Sequence, residues 1–214
     1  AYDYGADAVY AGSPRYSLRA RNNEFAKLDV LEQGIKEAHE RNKKFFLTVN
    51  TLPHNSKLKT FVSDMEPLIA MKPDALIMAD PGLIMTVREK WPEMPIHLSV
   101  QANTTNYWGV KFWQNIGVER IILSRELSME EIAEIRQECP DIELEVFIHG
   151  ALCIAYSGRC LLSGYFNHRD PNQGTCTNSC RWDYKVHNAV ESDAGDAQLL
   201  QGFNFEKAQE EANQ

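Results

Sequence analysis

The chain has no apolar run near the roughly 18 residues that would span a bilayer, and no charged, apolar, small-residue leader opens it. Neither membrane insertion nor export is expected, and a reducing cytoplasm is the expected compartment. Positive charge is also scarce: 22 Lys and Arg stand against 30 Asp and Glu, a net charge of -8. This excludes a generally basic nucleic-acid surface, so any RNA contact has to come from a local patch. No strand-like run is followed by the Gly-rich turn of a dinucleotide binder. There is no H-E-x-x-H helix and no G-x-S-x-G elbow, which removes the common signatures of metallo- and serine hydrolases. Cysteine is sparse too, with five in the chain, too few to build a fold from disulfides.

Four of those five, however, fall within the 28 residues from Cys153 to Cys180. Their spacing is C-x6-C-x15-C-x3-C, through Cys153, Cys160, Cys176 and Cys180. Four thiolates from loops suit a tetrahedral sulfur site, either zinc or an iron-sulfur cluster. Structural zinc generally uses tight knuckles, and only Cys176 with Cys180 has that form, so the wide first gap favours the bulkier cluster. Cys139, before Pro140, has no such pattern and reads as structural.

Strand-length apolar runs recur along the chain: Ala8 to Gly12, Phe45 to Asn50, Ala75 to Asp80, Ile96 to Ala102, Ile121 to Arg125 and Leu144 to Gly150. Between them the spacing is helical, as in Leu31, Ile35 and Ala38, in Phe61, Met65 and Leu68, in Trp108, Phe112 and Ile116, and in Ile132 and Ile135. Asp80-Pro81 offers a cap followed by proline at the first helical position, and Ser128 with Glu131 spells a capping box. Similar words lead into three strands, Gly5-Ala-Asp-Ala-Val, Lys72-Pro-Asp-Ala-Leu and Gly117-Val-Glu-Arg-Ile, a weak internal repeat of βα units.

The fold expected is α/β, an incomplete TIM-like (β/α) barrel of parallel strands followed by a cysteine-rich segment. Six units do not close an eight-stranded barrel. An open doubly wound sheet is the alternative. The expected divisions are a partial barrel over 1–150, truncated at its start where Tyr2 to Gly5 read as a helix end, a cluster-binding segment over 151–185, and an acidic, flexible tail over 186–214.

Barrel chemistry gathers where strands end. Alternation along Ile96 to Gln101 turns Ile96, Leu98 and Val100 toward the helices and His97, Ser99 and Gln101 toward the axis. Thr48, Asn50, Glu145 and His149 share the inward parity. An inward polar column calls for a ligand pocket or an internal hydrogen-bond network. Gln101, Asn103, Glu145 and His149 are the catalytic candidates, although Asp80 reads equally as a cap and His149 as a core histidine. Seven of the eleven arginines, Arg15, Arg19, Arg21, Arg125, Arg159, Arg169 and Arg181, lie in strand-end loops or the cysteine segment. Their planar forks suit carboxylate or phosphate, so the mouth is expected to take an anion.

The words Glu145-Val-Phe-Ile-His-Gly150-Ala-Leu-Cys153 and Gly158-Arg-Cys160-Leu-Leu-Ser163 resemble the signature of the peptidase U32 family, once called collagenase-like. The run from Gly164 to Trp182 is most similar to the branch of that family concerned with 5-hydroxyuridine in tRNA. Tyr10-Ala-Gly, Ser17 to Phe25, Asp80-Pro-Gly-Leu-Ile and Ser99-Val-Gln-Ala-Asn103 extend the likeness over residues 1 to about 184. The resemblance implies a barrel protein that hydroxylates wobble uridine in tRNA by an oxygen-independent, prephenate-linked route. It also implies a [4Fe-4S] cluster held by Cys153, Cys160, Cys176 and Cys180. Prephenate, a small dicarboxylate, and tRNA, a polyanion, would both suit the arginines at the mouth. Two other functions stay open: a U32-type peptidase with Cys153 as nucleophile and His149 as base, and a non-enzymatic binding module stabilised by zinc.

Overall fold

A computed structural model describes residues 1–20, 23–150, 153–185, 189–191, 193 and 197–199. It comprises two compact units, Ala1–Cys180 and Arg181–Gln214.

In the first unit six strands, β1 (Ala8–Gly12), β2 (Lys44–Val49), β3 (Ala75–Met78), β4 (Ile96–Leu98), β5 (Arg120–Ile122) and β6 (Glu143–Glu145), form one sheet in sequence order. Every pair is parallel. The helices between them are α1 (Leu28–Glu40), α2 (Asn55–Leu58), α3 (Phe61–Ala70), α4 (Pro81–Lys90), α5 (Tyr107–Asn115) and α6 (Met129–Glu138). A doubly wound sheet reverses its strand order partway across. The uninterrupted order makes this a curled half-barrel, the expected partial (β/α) barrel.

The internal repeat survives as backbone geometry. Gly5, Lys72 and Gly117, each three residues before a strand, all have positive φ, at 91°, 58° and 85°. Asn42, two residues before β2, is left-handed as well, at 54°. A left-handed residue closes each helix or turn and redirects the chain, which glycine and asparagine do at little cost.

The caps form as read. Asp80 accepts from the Leu83 N–H at 2.9 Å, with Pro81 opening α4. Ser128 and Glu131 close both bonds of the capping box, at 3.3 and 2.7 Å. The main core lies between sheet and helices, where Leu31, Ile35 and Ala38 of α1 and Phe61, Met65 and Leu68 of α3 meet Phe45, Leu47, Leu76, Ile96 and Leu98. Each of these buried side chains larger than Ala38 contributes roughly 1.5–3 kcal/mol. A smaller cluster of Phe46, Ala75, Ile77 and Ile122 fills the concave face.

Three expectations are corrected. Trp108 and Phe112 of α5 are exposed; Val110 is buried instead, with Tyr107, Trp113 and Ile116 packed against the core. This helix is aromatic on more than one side, so spacing could not fix its phase. Lys111 covers the rings of Tyr107 and Trp108 at 5.0 and 5.2 Å. Val100 faces the concave cluster rather than the helices, because β4 ends at Leu98 and Ser99 caps a 3-10 turn, Val100–Ala102, by accepting from Gln101 N–H. Finally, β6 stops at Glu145. Leu123 N–H donates to Glu145 O at 2.9 Å, and Val146, Phe147 and Ile148 then run on exposed rather than extending the strand to Gly150.

The second unit is described only in part. Trp182 and Tyr184 stack at 6.5 Å between centroids, and β7 (Ala189–Glu191) pairs antiparallel with β8 (Ala197–Leu199). Most of the acidic tail expected over 186–214 lies outside the described residues.

Candidate cysteine centre and barrel mouth

The cysteine segment lies across the strand ends, fastened at four places. At β1, Gly174 packs on the loop: a Cβ there would stand 2.7 Å from Ser17 O. At β2, Leu52 N–H donates to Asn172 O at 3.1 Å, Gln173 Nε2 donates to Leu52 O, and Lys57 Nζ to Gln173 O at 3.4 Å. At β4, Gln101 Nε2 donates to Asn172 Oδ1 at 2.6 Å, and Gly158, with φ 71°, is so close that a Cβ would collide with Gln101 O. At β5, Glu126 Oε1 accepts from Ser157 N–H at 2.8 Å and Ser157 Oγ at 3.1 Å, while Arg125 donates to Ala155 O at 3.2 Å.

Asn172 is the hub. Besides Leu52 and Gln101 it holds Cys160, whose carbonyl accepts from Asn172 Nδ2 at 3.1 Å, and its own N–H goes to Asp170 Oδ1 at 2.8 Å. One residue, through its side-chain amide and its backbone carbonyl, thus ties a cysteine backbone to two strand ends. Sequence reading missed Asn172, Gln173, Glu126 and Ser157. Asp170-Pro-Asn172 carried a local signal as a cap before proline, but partners about 70 to 120 residues away leave no trace in spacing.

The inward polar column divides into two parts. Near the mouth it is a network: Asn50 accepts from Leu18 N–H at 3.2 Å and donates to Ser99 Oγ at 3.1 Å, and Ser99 leads to Gln101 and Asn172. Asn103, with φ 53°, donates to Ser124 Oγ at 3.3 Å and Glu126 Oε2 at 3.4 Å. Deeper, Thr48 Oγ1 and His97 Nδ1 are buried with no hydrogen-bond partner among the described residues. His97 is 5% exposed and meets the Phe46 ring edge-on at 4.6 Å. Burial, reinforced by the positive charges of Arg120 and Lys44 and opposed by Glu143, pushes its pKa down to about 4, so it is neutral at pH 7. Arg120 is paired with Glu143 at 2.7 Å and Glu145 at 3.2 Å, which occupies that catalytic candidate in an ion pair. A cavity of about 410 Å³, lined by Lys44, Phe46, His97, Arg120 and Glu143 among others, opens at the opposite, N-terminal ends of the strands.

The arginines differ in their freedom. Arg15 donates to Asp64 at 2.7 Å and to Thr60 at 3.0 Å. Arg125 is engaged with Ala155, whereas Arg19, Arg159, Arg169 and Arg181 are exposed. Arg21 lies outside the described residues. His149 and Cys153 are both exposed, and no hydrogen bond among the described residues joins them.

All four clustered cysteines are free thiols; Cys153, Cys176 and Cys180 are exposed and Cys160 is partly so. Among the described residues no three His, Cys, Asp or Glu side chains are gathered to hold a metal ion. Nothing in the polypeptide alone favours bringing four thiols together, which is why metal binding and local folding are coupled in such sites. The donor set fits a thiolate-ligated group in its chemistry, being four reduced sulfurs on one short segment. Cys176 Sγ also already receives two donors, Asn178 N–H at 3.4 Å and Ser163 O–H at 3.8 Å.

A family model described as "Peptidase family U32" matches residues 1–212. The chain is 67% identical over 195 residues to a "tRNA hydroxylation protein P" of Escherichia coli, covering 91% of this chain and 43% of that protein. It is 68% identical over 195 residues to the protein of the same name in Haemophilus influenzae, covering 91% and 42%. The chain therefore spans less than half the length of these relatives. A solved structure of a U32 peptidase superposes with a TM-score of 0.56 at 16% identity, over 66% of this chain and 60% of that one, which bears on the fold alone.

Proposed function

The chain belongs to peptidase family U32, and from that premise we propose that it is the part of a tRNA hydroxylation protein that carries the cysteine centre. The observation that carries the reading is the 67% identity to a protein of that name over 91% of this chain. The fastened segment supports it, since the stretch that carries the four cysteines is tied to the strand ends, where barrel enzymes do their chemistry. Its finer content is the oxygen-independent, prephenate-linked conversion of wobble uridine to 5-hydroxyuridine, in the cytoplasm, where tRNA is found. Among the described residues no helix is long and apolar enough to cross a membrane.

Cys153, Cys160, Cys176 and Cys180 would hold a [4Fe-4S] cluster, and such a cluster supplies one-electron chemistry when bound. The chain's own residues do the rest. Asn172 and Glu126 position the segment. Arg19, Arg159 and Arg169 offer exposed forks for a dicarboxylate or for phosphates. Gln101 and Asn103, oriented by Asn172 and Glu126, set the polar wall of the mouth.

No observation favours proteolysis, because a cysteine nucleophile needs its base within hydrogen-bond reach and His149 makes no such bond to Cys153. The test is anaerobic purification of the full-length protein with iron, acid-labile sulfide and zinc analysis, together with 5-hydroxyuridine measured in tRNA of a deletion strain. Iron with sulfide and loss of the nucleoside are expected. Zinc without sulfide would support the binding-module alternative, and unchanged tRNA would sink the proposal.

A further inference from the structure

We infer that Ser163 is a positioning residue for the cysteine centre: it delivers a hydrogen bond to Cys176 Sγ from the end of a one-way chain of side-chain donors. The inference rests on the proposed iron-sulfur reading and goes beyond naming the ligands. Ser163 lies on α7 (Leu162–Asn167) and is 1% exposed.

The direction follows from counting hydrogens. Asn167 Nδ2 donates to Ser179 Oγ at 3.0 Å and to Thr177 Oγ1 at 2.6 Å. Ser179 and Thr177 share a bond of 2.8 Å, and Thr177 Oγ1 continues to Ser163 Oγ at 3.2 Å. Ser163 Oγ also accepts from Thr177 N–H at 3.2 Å. A serine hydroxyl has two acceptor positions and one hydrogen. With both acceptor positions filled, its hydrogen is free only for Cys176 Sγ, 3.8 Å away.

The second donor is fixed as firmly. Asn178 N–H points back two residues in the turn and donates to Cys176 Sγ at 3.4 Å. As a thiol, Cys176 also approaches Asn178 Oδ1, at 4.0 Å. A sulfur that accepts two bonds carries less charge toward a bound metal. Hydrogen bonds to ligand sulfurs are one of the levers that set the potential of such clusters. Among the described residues no comparable donor reaches Cys153, Cys160 or Cys180 at sulfur, so Cys176 is singled out.

The experiment uses the full-length protein, purified anaerobically. Ser163→Ala is expected to retain iron and sulfide but titrate at a more negative midpoint potential with a changed EPR signal. Thr177→Val breaks the same network one step earlier while leaving the bond to sulfur, and is expected to match the wild type. Ser163→Thr, which restores a hydroxyl, is expected to return toward the wild-type potential. Equal shifts in Ser163→Ala and Thr177→Val would mean a general structural role and overturn the inference, as would no shift in either. Electron-nuclear double resonance on the reduced protein, before and after exchange into D2O, adds a direct readout: two exchangeable couplings, from Ser163 O–H and Asn178 N–H, are expected in the wild type and one in Ser163→Ala, and equal couplings in both overturn the inference. A wild type without iron and sulfide removes the cluster reading and this inference with it. An iron-sulfur protein with an unmoved Ser163→Ala potential removes this inference alone.

Discussion

His97 makes the stability of the half-barrel depend on pH well above the range where carboxylates titrate. It is packed against Phe46 on the concave face, with Nδ1 unpartnered among the described residues and its pKa depressed to about 4 from the ordinary 6.5. In the unfolded chain the same imidazole takes up its proton as pH falls through about 6.5. The sign follows directly. The unfolded state binds more protons between the two values, so stability is full above the unfolded pKa and drains away as pH drops toward the folded one. About 2.5 units at 1.36 kcal/mol each gives a loss of roughly 3 kcal/mol, a large part of a typical domain's stability. Carboxylates held low by partners, such as Glu143 beside Arg120, lose their contribution only below their own ordinary values. The window from pH 6.5 to 4.5 therefore belongs mainly to His97. Urea melts at half-unit steps should show the midpoint falling across that window at constant slope. His97→Leu, which removes both the titration and the orphaned nitrogen, should flatten it. A wild-type midpoint that is level from pH 7 to 5, or a His97→Leu profile identical to wild type, would refute the reasoning.

Replacing Gly158 by Ala places a Cβ against Gln101 O at φ 71°; the left-handed conformation alone costs roughly 1–2 kcal/mol, and proteolysis within 153–180 should accelerate. Gly164→Ala, in α7 where a Cβ meets nothing within 4 Å, is the control and should leave that rate unchanged or slow it. Ser128→Ala removes half of the α6 capping box and should lower stability by about 1 kcal/mol in thermal or urea melts. Asp64→Ala strips the shared acceptor from Tyr16, Arg15 and Thr60, whose bonds to it are 2.7, 2.7 and 2.8 Å. With Tyr16 wholly buried, a loss of about 2 kcal/mol is expected, and an unchanged melting temperature would mean that water replaces the carboxylate.

What could be read from the sequence was whatever is written locally. Asp80 and Ser128 cap their helices through neighbours three residues away, and the stripes of α1 and α3 are unambiguous because polar residues separate them. Reading failed where two local patterns competed. Around α5, Tyr107, Trp108, Phe112 and Trp113 let more than one face pass for the core. Past Leu98, strand alternation does not extend over the three residues to Gln101, because Ser99 turns the chain into a 3-10 helix. The cysteines were plain in the sequence, but their setting was not. Asn172 and Glu126 are unremarkable polar residues until folding brings Gln101 and Ser157 to them.

The fastenings of the cysteine segment also impose an order on folding. Its bonds reach back 121 residues from Gln173 to Leu52, 71 from Asn172 to Gln101 and 31 from Ser157 to Glu126. None of these can form before the loops after β2, β4 and β5 exist, and closing such long loops slows their formation. The βα units, each built on near neighbours, are free to assemble first. The segment from Cys153 to Cys180 is then the last part of this unit to settle, so its four thiols stay accessible after the sheet has formed.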